Sequence, residues 1–263
     1  FLQGSYGFRE TASNRMLRTM LGDDGQPLLF PNGLPMVSSV GNGPIAERQF
    51  VGSGFLVGNS GFLLTNRHLG LPWEYDGGAK LLVKQGFAPE IIRFVGYRPG
   101  VPEGEEIELV QASEETDLAL LRYVSKVDLP KGLRLADVPP KSGDQVILMG
   151  YPTGLRSLLT QAGGVFISEL QKSKDTEFRS VAARLSKSGL IVPLASRGIV
   201  GRTSDERIVY DAETTHGGSG GPVLNTNGEV VAVNAAILPE YGGSNLGVPV
   251  HKVRSFLGTM NLH

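Results

Sequence analysis

The chain has 263 residues, 25 basic against 26 acidic side chains and a net charge of -1, so no electrostatic case exists for nucleic acid or an anionic membrane surface. Cysteine is absent, which excludes disulfides, zinc–thiolate sites, iron–sulfur clusters and thiol nucleophiles together. Hydrophobic residues at 40% and charged residues at 19% describe a globular chain, and 36 glycines with 16 prolines point to many tight turns and short strands.

Residues 1–43 read as an N-terminal arm. Thr11 or Ser13 is placed to cap a short helix with Met16, Leu17, Met20 and Leu21 on one face. Asp23-Asp24-Gly25, Pro31-Asn32-Gly33 and Pro35 then break it. Phe1, Tyr6 and Phe8 are aromatic in a segment too polar to make its own core, so the arm is expected to pack on the protein or on a second copy, as a homo-oligomer contact. Phe1 in place of Met reads as a trimmed start, with any targeting segment removed. No apolar run approaches the ~18 residues of a membrane-spanning helix.

From Phe50 the pattern changes to apolar runs with turn punctuation. Phe55–Val57 and Phe62–Leu64 flank Gly58-Asn59-Ser60-Gly61, a hairpin signal. Strand-like runs follow at Leu81–Val83, Ile91–Val95, Ile107–Val110, Leu118–Leu121 and Val146–Met149. Residues 126–140 carry few strand signals and several Pro, Lys and Asp, as a linker between two β units would. Val165 to Ser188 breaks the β pattern: Phe166, Leu170, Phe178, Val181, Ala182 and Leu185 recur near helical spacing, so a surface helical insertion is expected. Val223-Leu224 and Glu229–Val233 flank Asn225-Thr226-Asn227-Gly228, a second hairpin signal. The domain reading is an arm over 1–43, a first β unit over 44–130 and a second over 131–263.

The chemistry concentrates at Thr215-His216-Gly217-Gly218-Ser219-Gly220-Gly221-Pro222. Two glycines on each side of a serine free the backbone to turn peptide N–H groups toward one point beside the hydroxyl. A nucleophilic serine needs such donors for the oxyanion it creates, and a base for its proton. Leu63-Leu64-Thr65-Asn66-Arg67-His68 puts a histidine just after one apolar strand, and Thr116-Asp117-Leu118-Ala119-Leu120-Leu121 puts an acid just before another. An Asp there can accept from an imidazole N–H and fix its tautomer. Singly, each has a bland reading as a surface turn, a solvated His or a strand-capping Asp. The order His68, Asp117, Ser219 makes them a catalytic constellation. The four histidines show no metal-ligand spacing, and no metal or cofactor is called for.

On these motifs the chain resembles a trypsin-fold (chymotrypsin-type) serine protease over roughly residues 50–257. Gly150-Tyr151-Pro152-Thr153-Gly154-Leu155, Ser196–Val200 and Leu246–Val250 are similar to segments of the cysteine-free bacterial high-temperature-requirement proteases, and Tyr210–Thr215 also to glutamyl endopeptidases. The resemblance implies an all-β fold of two antiparallel six-stranded β-barrels with the site between them. It implies a serine endopeptidase acting on protein or peptide substrates. Ser219 would attack the scissile carbonyl, His68 serve as general base and acid, and Asp117 orient it. The N–H groups of Gly217 and Ser219 would form the oxyanion hole, and Ala235–Ile237 would pair with substrate as an added strand. Glu213 and Thr214 align with the base and wall of the primary specificity pocket, Asn234 with the opposite wall, and His216 with the rim. Export to the periplasm or the cell exterior is expected.

Three departures qualify the resemblance. Gly218 stands where trypsin-like zymogens carry an Asp that binds a new N-terminus. Asn234 stands where glutamyl endopeptidases carry a His, which argues against glutamate selectivity. The chain stops at His263, so the peptide-binding PDZ domain that usually follows in high-temperature-requirement proteases is absent or was cut off. A small aliphatic preference ranks ahead of a basic one at Glu213, and glutamate last. Two alternatives stand beside the protease. Gly217-x-Ser219-x-Gly221 also fits the nucleophile elbow of α/β-hydrolases, which needs a helix after the serine where this chain has Pro222 and a hairpin. A catalytically silent peptide-binding or scaffolding protein on the same fold is the other.

Overall fold

The computed structural model describes residues 1–59, 61–173, 177–238 and 244–260, the side chains of 236–238 excepted. Ser60, Glu240 and His263, and residues 174–176 within the expected helical insertion, lie outside the described residues. In chain order the elements are β1 (Leu2–Glu10), β2 (Arg15–Met16), β3 (Arg18–Thr19), β4 (Val37–Ser38), β5 (Arg48–Gly52), β6 (Phe55–Leu56), β7 (Leu63–Thr65), α1 (Arg67–Gly70), α2 (Gly77–Lys84), β8 (Phe87–Gly96), β9 (Glu105–Ala112), β10 (Ala119–Tyr123), β11 (Gln145–Gly150), α3 (Leu155–Ser173), α4 (Phe178–Lys187), β12 (Leu194–Thr203), β13 (Ile208–Tyr210), β14 (Pro222–Leu224), β15 (Val230–Leu238), β16 (Ser244–Pro249) and α5 (Val250–Gly258). They fall into two compact units, one of residues 1–3, 51–70 and 95–263, the other of residues 4–50 and 71–94.

The larger unit holds a closed antiparallel barrel in the order β11-β12-β13-β16-β15-β14. Period-two alternation builds its core: Val146 and Leu148 of β11 point inward with Val200, Ile208, Tyr210, Val223 and Val231. The β14–β15 hairpin turns on Asn225–Gly228, where Gly228 takes a positive φ of 78°, as the Asn-Gly pair predicts. In the same unit β6, β7, β10 and β9 are successive antiparallel neighbours, with Phe55 opposite Leu64 and Leu120 opposite Leu64 on the other side. Among the described residues one closed six-stranded barrel is found, where the resemblance implies two. Leu64, Leu118 and Leu120 share one core with Val230, Val233, Val253 and Leu257. The expected linker, residues 126–140, has no helix or strand of its own and touches the sheets through the isolated bridges Val57–Leu133 and Leu135–Val230.

The helical insertion is present as α3 and α4. It starts earlier than the periodicity predicts, at Leu155, and breaks at Gly163, whose φ is 79°. Phe166, Leu170, Val181, Ala182 and Leu185 are buried, as their spacing requires. They pack on Phe1, Val95, Tyr97 and Tyr151, so the pair is part of a core rather than a surface appendage.

Two expectations are overturned in the smaller unit. The arm is not helical: Arg15-Met16 pairs with Arg9-Glu10, and Leu17 N–H donates to the Phe8 carbonyl. Asn14 at φ 56° turns the chain back before any helix begins. A helix as short as Met16–Leu21 has too few hydrogen bonds to offset its nucleation, whereas the strand buries Tyr6, Phe8 and Leu17 in an aromatic cluster with Phe50 and Trp73. The run Leu81–Val83 is likewise helix, not strand. Asp76 caps α2 by accepting from the N–H groups of Gly78 and Ala79, and Leu81 and Val83 are exposed on its outer side.

Candidate active site

His68 and Asp117 come together because their strands are neighbours. β7 and β10 run antiparallel with Thr65 opposite Ala119, so the residues just past the end of one meet those just before the start of the other. His68 Nδ1 lies 2.8 Å from Asp117 Oδ2, and the His68 backbone N–H donates to Oδ1 at 3.0 Å. One carboxylate thus grips both the ring and the main chain of the histidine. Asn66 adds a clamp, its Nδ2 donating to the Asp117 carbonyl at 2.9 Å, and Arg67 Nη1 donates to the Ser113 carbonyl at 2.6 Å. Both side chains keep about a quarter of their surface, 24% for His68 and 25% for Asp117, so the pair is accessible yet partly shielded from solvent.

The Ser219 loop packs against the same strand. A β-carbon built on Gly220 would lie 2.2 Å from the Ser53 carbonyl oxygen and 2.2 Å from Thr65 Oγ1, and Thr65 precedes His68 by three residues. Gly217 and Gly220 take positive φ, 96° and 81°, which is why glycine stands at both places. The N–H groups of Gly218, Gly220 and Gly221 donate to the carbonyls of Thr215, Asn234 and Gly218. Those of Gly217 and Ser219 donate to no partner among the described residues. The carbonyls of His216, Gly217, Gly218 and Ser219 all accept, from Thr153 N, Ser53 Oγ, Gly221 N and Ser53 N. The two uncommitted donors are the two expected of an oxyanion hole. Ser219 Oγ has the Ala235 carbonyl at 3.4 Å, well beyond an ordinary O–H···O bond.

Residues 52–233 match the family of the trypsin-like peptidase domain. The chain belongs to that family. Among its relatives, a putative serine protease HhoA of Synechocystis is 28% identical over 95% of this chain and 52% of its own length. A probable periplasmic serine endoprotease, DegP-like, of Rhizobium meliloti is 29% identical over 75% of this chain and 30% of its own. The chain therefore spans about half the length of the first relative and under a third of the second. The crystal structure of a serine endoprotease from Yersinia pestis aligns with 97% of this chain and 62% of its own at a TM-score of 0.52 and 16% identity, which shows the fold. These relatives bear out the resemblance to the high-temperature-requirement branch. The α/β-hydrolase reading falls with the fold, because strand β14, not a helix, follows Ser219.

The other expected residues of this trypsin-like chain gather around the loop with differing exposure. Thr214 is half-buried, and its Oγ1 would be 2.1 Å from a β-carbon on Gly218. Glu213 is exposed and makes no ion pair among the described residues, so its carboxylate is not a buried pocket floor. His216 is exposed. Asn234 is buried, with Oδ1 accepting from Tyr210 O–H at 2.5 Å. Ala235 sits where the β15–β16 register shifts, between Asn234 opposite Gly247 and Ala236 opposite Leu246. Such a bulge re-aims the local backbone, here the carbonyl facing Ser219. Ile237 belongs to β15, and its side chain lies outside the described residues.

Sequence reading missed Ser53 and Thr153. Ser53 is 1% exposed and makes four hydrogen bonds around the loop. The signal was Gly52-Ser53-Gly54, small residues that mark a close approach of two backbones. Thr153, at φ 55°, is a β-branched residue in the left-handed region, a strained conformation that clusters at functional sites.

Proposed function

We propose that this protein is a serine endopeptidase that cleaves proteins or peptides through an acyl-enzyme intermediate. The observation that carries the reading is the pair of uncommitted N–H groups on Gly217 and Ser219, between the paired N–H groups of Gly218, Gly220 and Gly221. An ionised carboxylate can only accept. With Asp117 on Nδ1, that nitrogen carries the ring proton and Nε2 is left basic. His68 then takes the Ser219 proton as Oγ bonds to the scissile carbonyl carbon. The C–N bond breaks as His68 returns the proton to the leaving amine. Water repeats the sequence to release the acid. Asp117 stabilises the imidazolium in both steps without being protonated, and the Gly217 and Ser219 N–H groups receive the oxyanion.

Substrate would add as a strand along Ala235–Ile237, beside a primary pocket walled by Glu213, Thr214 and Asn234 with His216 at the rim. The exposure of Glu213 and the bond from Tyr210 to Asn234 favour small aliphatic side chains there over basic or glutamate ones. The arm presents Leu29, Phe30 and Leu34 at 54%, 48% and 61% exposure, which supports self-association. The exported compartment is proposed on the periplasmic naming of the Rhizobium relative. The deciding experiment treats the parent and Ser219→Ala with a fluorophosphonate probe and unfolded casein. Labelling and cleavage that both vanish in the folded alanine variant support the reading. A folded parent that neither labels nor cleaves is a silent scaffold instead.

A further inference from the structure

Ser53 lies 166 residues before Ser219 in the chain, yet it holds that serine's loop at two points. Its backbone N–H donates to the Ser219 carbonyl at 2.8 Å, and its hydroxyl donates to the Gly217 carbonyl at 2.7 Å. The direction of the second bond is fixed by chemistry. A hydroxyl has one proton, and Ser53 Oγ also takes the Tyr151 N–H at 3.0 Å. That nitrogen can only donate, so the single proton goes to Gly217. The backbone of Ser53 is itself pinned, since its carbonyl accepts from Thr65 Oγ1 at 2.7 Å. A β-carbon on Gly150 would come within 2.8 Å of Ser53 Oγ, which shows how closely β11 approaches this hydroxyl.

We infer that Ser53 is a positioning residue that sets the oxyanion-binding geometry by fixing the Gly217–Gly218 peptide through its carbonyl. This rests on the endopeptidase reading above. Gly217, at φ 96° and flanked by another glycine, has little intrinsic preference for one peptide orientation. Its conformation is therefore decided by what its carbonyl bonds to. Thr153 N–H holds the peptide on one side of Gly217, through the His216 carbonyl at 2.5 Å, and Ser53 Oγ holds the peptide on the other. Between these two anchors the Gly217 N–H is left pointing to neither. Ser53 is buried at 1% exposure, so its loss should weaken stabilisation of the tetrahedral intermediate while leaving ground-state binding alone.

The test compares the parent, Ser53→Ala, Ser53→Cys and Ser219→Ala. Steady-state hydrolysis of a peptide cleaved by the parent is measured, with affinity for a peptide boronate, which forms a tetrahedral adduct, and for the released product peptide. Ser53→Ala is expected to lower kcat about 10- to 100-fold and boronate affinity by a similar factor, with KM and product affinity within about threefold of the parent. Ser53→Cys keeps a weak donor and should fall between. If Ser53→Ala does not fold, the cysteine variant alone decides. Parental kcat in a folded Ser53 variant, or equal losses of boronate and product affinity, overturns the inference. A Ser219→Ala variant that still cleaves overturns the endopeptidase reading instead, so the two failures are distinguishable.

Discussion

Replacing Gly220 by alanine tests whether the nucleophile loop is held by packing as closely as its geometry indicates. Two costs add. Alanine at φ 81° carries a left-handed penalty of about 1–2 kcal/mol. Its methyl would also sit 2.2 Å from both the Ser53 carbonyl oxygen and Thr65 Oγ1. The first is backbone and cannot swing aside, so overpacking adds about 1–3 kcal/mol. The sum, about 2–5 kcal/mol, corresponds to a Tm lower by roughly 4–20 °C in a chain of this size. Gly228→Ala is the matched control. Its φ is 78°, but nothing lies within 4 Å of the added carbon, so only the strain is incurred and Tm falls by about 2–8 °C. The variants should separate further in function. Displacing the loop by even 1 Å costs about 100-fold in turnover, whereas the Gly228 hairpin is remote from the constellation. Melting curves and peptide hydrolysis on the same preparations give both numbers. Equal Tm losses, or parental kcat/KM in Gly220→Ala, would refute the packing account of the loop.

Asp117→Asn keeps one acceptor for the His68 N–H but presents an amide to the ring, and kcat should drop by about 10⁴ with the fold intact; a loss below tenfold means that another acid orients His68. In the smaller unit, burial pushes the Asp76 carboxyl up, but the Tyr6 hydroxyl, the Arg48 guanidinium and the Ala79 N–H outweigh it and hold it at about 2. A depressed folded value contributes stability above the unfolded value near 3.8 and loses it as pH falls toward 2. Tm should therefore fall more steeply from pH 5 to 2 in the parent than in Asp76→Asn, and parallel curves would remove Asp76 from the acid response. Leu29→Ser with Phe30→Ser and Leu34→Ser should reduce a multimeric mass in light scattering to that of one chain, and an unchanged mass in both proteins dismisses self-association through these side chains.

Much of the molecule is determined locally. The Asn225–Gly228 turn, the alternation of Val146 and Leu148, and the spacing of Phe166, Leu170, Val181 and Leu185 each encode an element in a few adjacent residues, because side-chain period and turn chemistry are local properties. The glycines around Ser219, and the placement of His68 and Asp117 at the ends of apolar runs, exposed the candidate site for the same reason. Elsewhere local signals pointed the wrong way. Met16–Leu21 has a helical face, yet the burial of Tyr6, Phe8 and Leu17 among aromatics from distant segments stabilises strand. Leu81–Val83 reads as strand, yet Asp76, the cap immediately before Gly77, starts a helix that runs through it. What only the tertiary structure decided was pairing. Asp117 reaches His68 because β7 and β10 are neighbours, and Ser53 reaches Gly217 because the segment between β5 and β6 packs against the Ser219 loop. In the sequence Ser53 carries only the mark of its flanking glycines, Gly52 and Gly54, which signals a close backbone approach but names no partner. Its one proton acquires a direction only when the Tyr151 N–H occupies the other side of its oxygen.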